Sequence, residues 1–463
     1  MRPSTSRLVL PRGVRRPSRR DVLALGGLGL GAGLLAACGG PSVASGEDSD
    51  DGEADGTDWS GVEPAEELVF WSNHPGNTKE LEEEYIAAFT EETGIDVRLV
   101  TAGANYDEVA QRFQAAAGTS DIPDLVIASD VWWFRYMVNG QIIPVDDLFA
   151  HLEVDTDDYV ETLYSDYVYE DQHFAAPYAR STPLFYYNKD LWSQAGLPDR
   201  GPQTWEELQE WAGALREVVP GDGAPLGNGI GPSWSAWWFS NIIWAHGGAM
   251  SEEWEITLDT PEALAAGNFV RDMYNGPDAF AGFGSDTNQD FAGGLYASLI
   301  ASTGSLTGLL DAADFELGTA YLPDGPAAGP NVPTGGTGVA ISADREPEQQ
   351  LAAGMFLKFL TDTENTALFS QTTGYMPVRT SAIEGETMGA LYEETPQFRT
   401  SVDQLQEKTR VQDYVRVFTP GGDQIITDGL EQIVLNGADA EDVFPNVTNE
   451  LQRAYEENVE PYL

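Results

Sequence analysis

The chain has 463 residues, 42% of them hydrophobic, a length that suits two lobes of about 150–250 residues better than one domain. Its 24 basic and 75 acidic side chains give a formal charge of −51, which excludes a nucleic-acid partner and electrostatic docking on anionic lipid. The single cysteine, Cys38, permits no intramolecular disulfide, and the four scattered histidines show no HExxH or CxxC spacing, so no metal or cofactor is expected.

The first segment reads as an export signal. Arg15-Arg16 and Arg19-Arg20 form a basic start, and Arg19-Arg20-Asp21-Val22-Leu23 resembles a twin-arginine motif. An apolar, Gly-rich run from Val22 to Ala37 follows, too short for the roughly 18–20 residues of a membrane span. It ends in Leu35-Ala36-Ala37-Cys38-Gly39, which resembles a bacterial lipobox, with Cys38 as the lipidated residue. Residues 1–37 are therefore expected to be a lipoprotein signal peptide. Residues 38–65, with Glu47, Asp48, Asp50, Asp51, Glu53, Asp55 and Asp58, are expected to be a self-repelling tether. Membrane contact is expected through the lipid anchor alone, on the extracellular face.

From Glu66 the pattern is α/β. Leu68–Trp71 reads as a strand, and Asn77–Glu92 as a helix with Leu81, Tyr85, Ala88 and Phe89 on one face, closed by Gly94. Asp96–Val100 is a second strand, Tyr106–Ala117 a helix and Asp124–Ala128 a third strand. This alternation predicts a parallel sheet with right-handed crossovers. Ligands then bind beyond the carboxyl ends of the strands, which points to Trp71–Asn73, Ala102–Tyr106 and Ser129-Asp130. Phe174–Asn188 reads extended, Thr204-Trp205-Glu206-Glu207 is a capping-box-like helix start, and Thr260-Pro261-Glu262 opens another helix. Ser298–Ala301 and Gly335–Ser342 read as strands, and the chain beyond Pro347 as mostly helical.

Five blocks carry a resemblance. "FWSNHPGNTKELEEEYIAAFTEETGIDV" from Phe70 resembles the opening of the family-1 extracellular solute-binding proteins. "PYARSTPLFYYNKDLWSQAGLPDRGPQTWEEL" from Pro177 is similar to that family's entry into its second lobe. "IASTGSL" from Ile300, "GGTGVAIS" from Gly335 and "TGYMPVRTSA" from Thr373 follow in the same order. Within the family the chain looks closest to the glycerol-3-phosphate-binding components of ABC importers.

The resemblance implies a two-lobed periplasmic-binding-protein-like α/β fold, each lobe a mostly parallel sheet with flanking helices and the ligand cleft between them. The expected division is 66–180 with 300–342 in lobe 1, and 181–299 with 343–463 in lobe 2. The ligand-binding positions it implies are Tyr106, Asp130, Ser181, Trp234, Ser302, Gly336 and Tyr375. The subfamily also carries an arginine before its penultimate helix. Near the best alignment this chain has Gly421-Gly422-Asp423-Gln424, with Arg416 upstream. Without that arginine a bare phosphate monoester loses ground to a phosphodiester or a neutral sugar, because a bidentate guanidinium is a main source of phosphate affinity.

Each position also has a plainer structural role. Spacing alone makes Asp130 the N-cap of a helix at Val131-Trp132. Trp237 and Trp238 read as core, whereas Trp234, after Gly231-Pro232-Ser233, suits a platform for a sugar or glycerol C–H face. Ser302 suits a helix cap, Gly336 a tight turn and Tyr375 a packed loop aromatic. Arg180 and Arg416 are the alternative cationic contacts in an otherwise acidic chain, Arg416 as a substitute for the subfamily arginine, and their plainer role is a surface ion pair.

The expected function is therefore a monomeric substrate-binding lipoprotein, not an enzyme. It would capture a small hydroxyl-rich solute (sugar, glycerol phosphate or glycerophosphodiester) and deliver it to the permease subunits of an ABC importer. The alternative is a secreted, lipid-anchored glycoside hydrolase, which needs two carboxylates about 5–9.5 Å apart. A Gly-x-Ser-x-Gly elbow, which an esterase would use, is absent. A surface adhesin would lack a deep cleft.

Overall fold

The computed structural model describes residues 59–463; the readings of the signal segment, of Cys38 and of the acidic stretch up to residue 58 lie outside the described residues. The described end of the expected tether is not free of the body. Trp59 is buried, Val62 and Ala65 pack on the first core, and the Ala65 amide donates to the Glu348 carbonyl at 2.9 Å.

Two five-stranded sheets organise the chain. The first runs in the spatial order Asp96–Thr101, Glu67–Ser72, Leu125–Ser129, Gly335–Ile341, Ala176–Ser181. The second runs Ala281–Gly282, Ala224–Gly227, Tyr296–Ser302, Pro183–Asn188, Leu317–Ala320. Each contains one strand antiparallel to both of its neighbours, Gly335–Ile341 in the first and Pro183–Asn188 in the second, and its other pairings are parallel. The opposed strands are the ones whose chain arrives from the other sheet. Every residue of Leu125–Ser129 is buried, as expected of a central strand covered on both faces.

Local signals set the helix ends. Gly94 closes Gly76–Thr93 in the left-handed region at φ +78. Thr204 and Thr260 accept from Glu207 and Ala263 amides to start Trp205–Val218 and Pro261–Asn275. Ser235–Ala245 is buried on every face, so its apolar composition gives no stripe and it runs through the second core.

The two main cores follow the sheets. Phe70, Phe113, Leu125 and Phe356 belong to the first, and Trp192, Trp205, Phe239 and Leu430 to the second. The expected lobe boundaries differ from this arrangement in two places. Of segment 300–342, Gly335–Ile341 joins the first sheet, but Tyr296–Ser302 and Leu317–Ala320 pair in the second. Of segment 343–463, Pro347–Leu360 buries Leu351, Phe356 and Leu357 in the first core, while Gly422–Asn436 and Ala440–Asn458 pack on the second. An apolar strand or helix reads alike in either lobe; its hydrogen-bonded or packed neighbour decides where it goes.

The first crossing between the sheets is short and is tied to the returning one. Thr182 alone separates the strand ending at Ser181 from the strand starting at Pro183. Its hydroxyl donates to the Pro333 carbonyl at 2.9 Å, just before the returning strand, and accepts from Gln404 Nε2 at 3.2 Å.

Candidate functional site

The carboxyl ends of the strands converge on a cavity of ≈ 210 Å³ between the sheets. All seven positions implied by the resemblance line it: Tyr106, Asp130, Ser181, Trp234, Ser302, Gly336 and Tyr375. Val131, Ser233, Trp237, Gly335 and Arg416 line it as well. Among the edge residues suggested by the strand ends, Asp130 and Tyr106 reach the cavity, while Trp71 instead lies under the Arg112 guanidinium, 4.3 Å from its ring.

Asp130 follows a fully buried strand and is 6% exposed. It is not an N-cap: the next helix is Trp133–Val138 and has no side-chain cap. Its amide donates to the Gly336 carbonyl at 3.2 Å. Its Oδ2 accepts from Gln412 Nε2 at 3.1 Å and meets Arg416 Nη1 at 3.4 Å.

Arg416 sits on the short helix Tyr414–Val417, whose Val415 lies in the second core, just before the Gly422–Asn436 helix. It is 3% exposed, not a surface ion pair. Its Nε donates to Asp423 Oδ1 at 2.8 Å and its Nη1 to Gln412 Oε1. The cleft thus holds an arginine, Arg416, the upstream substitute for the one absent from Gly421–Gln424. Burial pushes the Asp423 carboxyl upward; Arg416 opposes the shift, and Asp130 and Asp107 add to it by repulsion.

Arg180 is likewise no surface residue. It is fully buried, paired with Asp166, donates to Tyr167 Oη at 2.8 Å, and lies outside the cavity lining. Asp166 also accepts from Thr334 Oγ1 at 2.6 Å, which joins this buried pair to the returning strand segment. Rarity in an acidic chain marked both arginines as candidate cationic contacts, and the subfamily pattern marked Arg416 as well, but neither signal could tell a buried pair from an exposed one.

Backbone shape brings the chain close to the cavity. Gly336 has φ +94, and a Cβ there would lie 2.1 Å from the Ala179 carbonyl oxygen, so only glycine fits. A Cβ on Gly335 would enter the Trp237 ring at 2.6 Å. Trp237 thus serves the cavity as well as the core, with its Nε1 donating to the Thr334 carbonyl at 2.7 Å. Trp234 stands edge-on to it, centroids 5.4 Å apart, and donates through Nε1 to Asn228 Oδ1 at 3.3 Å. Ser233 takes φ +55, a region non-glycine residues rarely use, and turns the chain sharply before Trp234. Trp238 is core, as expected.

Ser302 ends its strand and is also a cap, its Oγ accepting from the Gly304 amide at 3.2 Å. Tyr375 stacks on Phe369 at 5.8 Å and lines the cavity together with Tyr106. Burial holds both phenols above their ordinary range, so they stay protonated donors at neutral pH. Behind Tyr375, Ser72, His74 and Glu82 have the residue types of a hydrolase relay. Ser72 Oγ (3.2 Å) and Glu82 Oε1 (2.7 Å) both meet His74 Nδ1, however, and Nε2 has no partner among the described residues. No proton path through the ring follows from that geometry.

Two sheet-based lobes with a polar, aromatic-lined cleft between them define a solute-binding protein. The family model for bacterial extracellular solute-binding proteins matches residues 84–400, and the chain belongs to that family. The chain is similar to the sn-glycerol-3-phosphate-binding periplasmic protein UgpB of Escherichia coli (strain K12). The two are 27% identical over 360 residues, 74% of this chain and 81% of that protein. It superposes on UgpB from Mycobacterium tuberculosis, solved in complex with glycerophosphocholine. Here the identity is 45%, the TM-score 0.81, and the match covers 85% of this chain and 100% of that one. The acarbose-binding GacH receptor of Streptomyces glaucescens shares the fold at 19% identity and a TM-score of 0.73, over 84% of this chain and 98% of that one. These relatives are binding proteins, and the glycoside hydrolase alternative finds no support among them.

Proposed function

We propose that this chain captures a glycerophosphodiester and hands it to the permease of an ABC importer, held at the outer face of the membrane by lipid on Cys38 after twin-arginine export. The observation that carries the ligand class is Arg416 in the cleft, flanked by Asp130 and Asp423. One guanidinium beside two carboxylates leaves a net negative surround. A phosphate monoester brings about −1.5 to −2 charge at neutral pH, and that surround disfavours it. A diester brings a single negative charge and keeps the bidentate contact. The similar mycobacterial protein, in complex with glycerophosphocholine, supports the same reading.

In this account the diol of the glycerol replaces part of the Asp130–Arg416 contact. Asp130 takes hydroxyls, Arg416 takes the phosphate, and the Tyr106 and Tyr375 phenols donate. Ser181 and Ser302 complete the polar lining, Gly336 lets the backbone approach, and Trp234 with Trp237 covers the C–H face. Contacts from both lobes favour the closed form, so binding shifts an open–closed population that the permease reads. Micromolar capture needs about −8 kcal/mol.

Calorimetry of the purified protein tests this. Glycerophosphodiesters are expected to bind at least about tenfold more tightly than glycerol-3-phosphate, which corresponds to roughly 1.4 kcal/mol. Maltose or another neutral sugar binding most tightly would overturn the ligand class.

A further inference from the structure

A second chamber of ≈ 210 Å³ adjoins the cleft and shares Val131, Ser233 and Arg416 with it. It too opens between the lobes, with Asp107 and Trp132 on one side and Thr419, Gly421 and Asp423 on the other. Arg416 is the partition: its Nη1 points to Asp130 in the first chamber and its Nε to Asp423 in the second.

The second chamber has a distinct chemistry. Trp132 Nε1 donates to Asp107 Oδ1 at 2.7 Å, so the indole and the carboxylate are held together. The Asp107 and Asp423 bonds engage Oδ1 of each residue and leave Oδ2 outside them. The two carboxylates repel, a repulsion that helps raise the Asp423 carboxyl. Thr419 is 2% exposed, lines the chamber, and its hydroxyl has no partner among the described residues. The charged groups around the space are Asp107 and Asp423 against Arg416, with Arg135 5.7 Å over the Trp132 ring.

We propose that this chamber receives the second alcohol of the diester and selects a cationic one, an ammonium or quaternary ammonium head. The inference rests on the diester reading above. The charge order along the two chambers is a hydroxyl-binding pocket, then Arg416, then an indole with two carboxylates. That order matches a neutral glycerol, an anionic phosphate and a cation in one molecule. An indole face and fixed carboxylates are what an ammonium head needs. A cation placed here also relieves the repulsion between Asp107 of one lobe and Asp423 of the other, and so favours closure. The groove on the far side of Trp234, lined by Ile230, Pro232, Asp286, Thr287 and Asn288, carries one carboxylate where this chamber has two, and is where a neutral head would go.

The test compares glycerophosphocholine with glycerophosphoglycerol, which has a neutral head, by calorimetry on the full chain. The wild type is expected to prefer the choline ester by about tenfold. Asp107→Asn, which keeps an oxygen for Trp132, is expected to bring that ratio near one, and Trp132→Ala to do the same. Equal binding of the two diesters by the wild type, or a ratio unchanged in Asp107→Asn, overturns the assignment while leaving the diester reading intact. Failure of both diesters to bind overturns both.

Discussion

Arg416 and Asp130 meet at 3.4 Å across the cleft, the arginine from a helix seated in the second core and the aspartate from the end of a strand in the first sheet. Each is nearly buried, so neither charge is left in water. A ligand carrying both a diol and a phosphate satisfies the two groups separately.

Replacing the guanidinium with an ammonium should reveal this division. Arg416→Lys keeps the charge but loses the planar fork that joins Asp423, Gln412 and Asp130. Diester affinity is expected to fall by about 10- to 100-fold, a loss of roughly 1.4–2.8 kcal/mol. Calorimetry reads it; affinity within twofold of wild type would remove Arg416 from the phosphate.

Two glycines should respond in opposite senses to alanine. Gly336→Ala meets the Ala179 carbonyl at 2.1 Å and a φ of +94. It is expected to cost about 1–3 kcal/mol and to lower the melting midpoint. Gly308, in the Leu306–Ala312 helix, has open space where a Cβ would go. Gly308→Ala is expected to raise stability by about 0.4–1 kcal/mol. Thermal unfolding of the two variants checks the pair.

The aromatic wall serves binding through both indoles and folding through Trp237. Trp234→Ala should weaken ligand by about 2 kcal/mol or more, because the ring is only partly buried and faces the cavity. Trp237→Phe removes the bond to the Thr334 carbonyl and should cost about 0.5–1.5 kcal/mol of stability. Calorimetry and denaturant unfolding distinguish the two outcomes.

The raised Asp423 carboxyl sets a pH dependence. Its ordinary value is 3.8, and the folded chain holds it above that. Between the two values the folded state binds more protons than the unfolded one. This carboxyl's share of stability therefore falls as pH rises through that window, and grows as pH is lowered. Asp423→Asn removes that share, so the variant's melting midpoint should gain less than wild type as pH is lowered toward 3.8. Parallel curves for the two proteins would contradict the assignment.

Much of this was legible in the sequence because local signals were strong. Gly94, Thr204 and Thr260 marked helix ends by chemistry that acts within a few residues. The alternation from Glu67 to Ser129 set the three parallel strands of the first sheet, and the resemblance placed the seven cavity residues, Ser181, Ser302, Gly336 and Tyr375 of them inside its five ordered blocks. Lobe membership was less legible, since Tyr296–Ser302 is an apolar strand whose place depends on pairing with Pro183–Asn188, far away in sequence. The surface-ion-pair role given to Arg180 and Arg416 failed for a related reason: their carboxylate partners, Asp166, Asp130 and Asp423, come from other elements. Trp237 was assigned to the core because helical periodicity does not show that a ring edge also reaches a cavity.

Phosphorus NMR of the purified protein titrated with glycerophosphocholine examines the clamp most directly. A bound resonance distinct from the free one is expected, and denaturing the protein should return the ligand at its free shift as an intact diester. A spectrum with no shifted resonance, or a monoester signal growing with time, would contradict capture without chemistry.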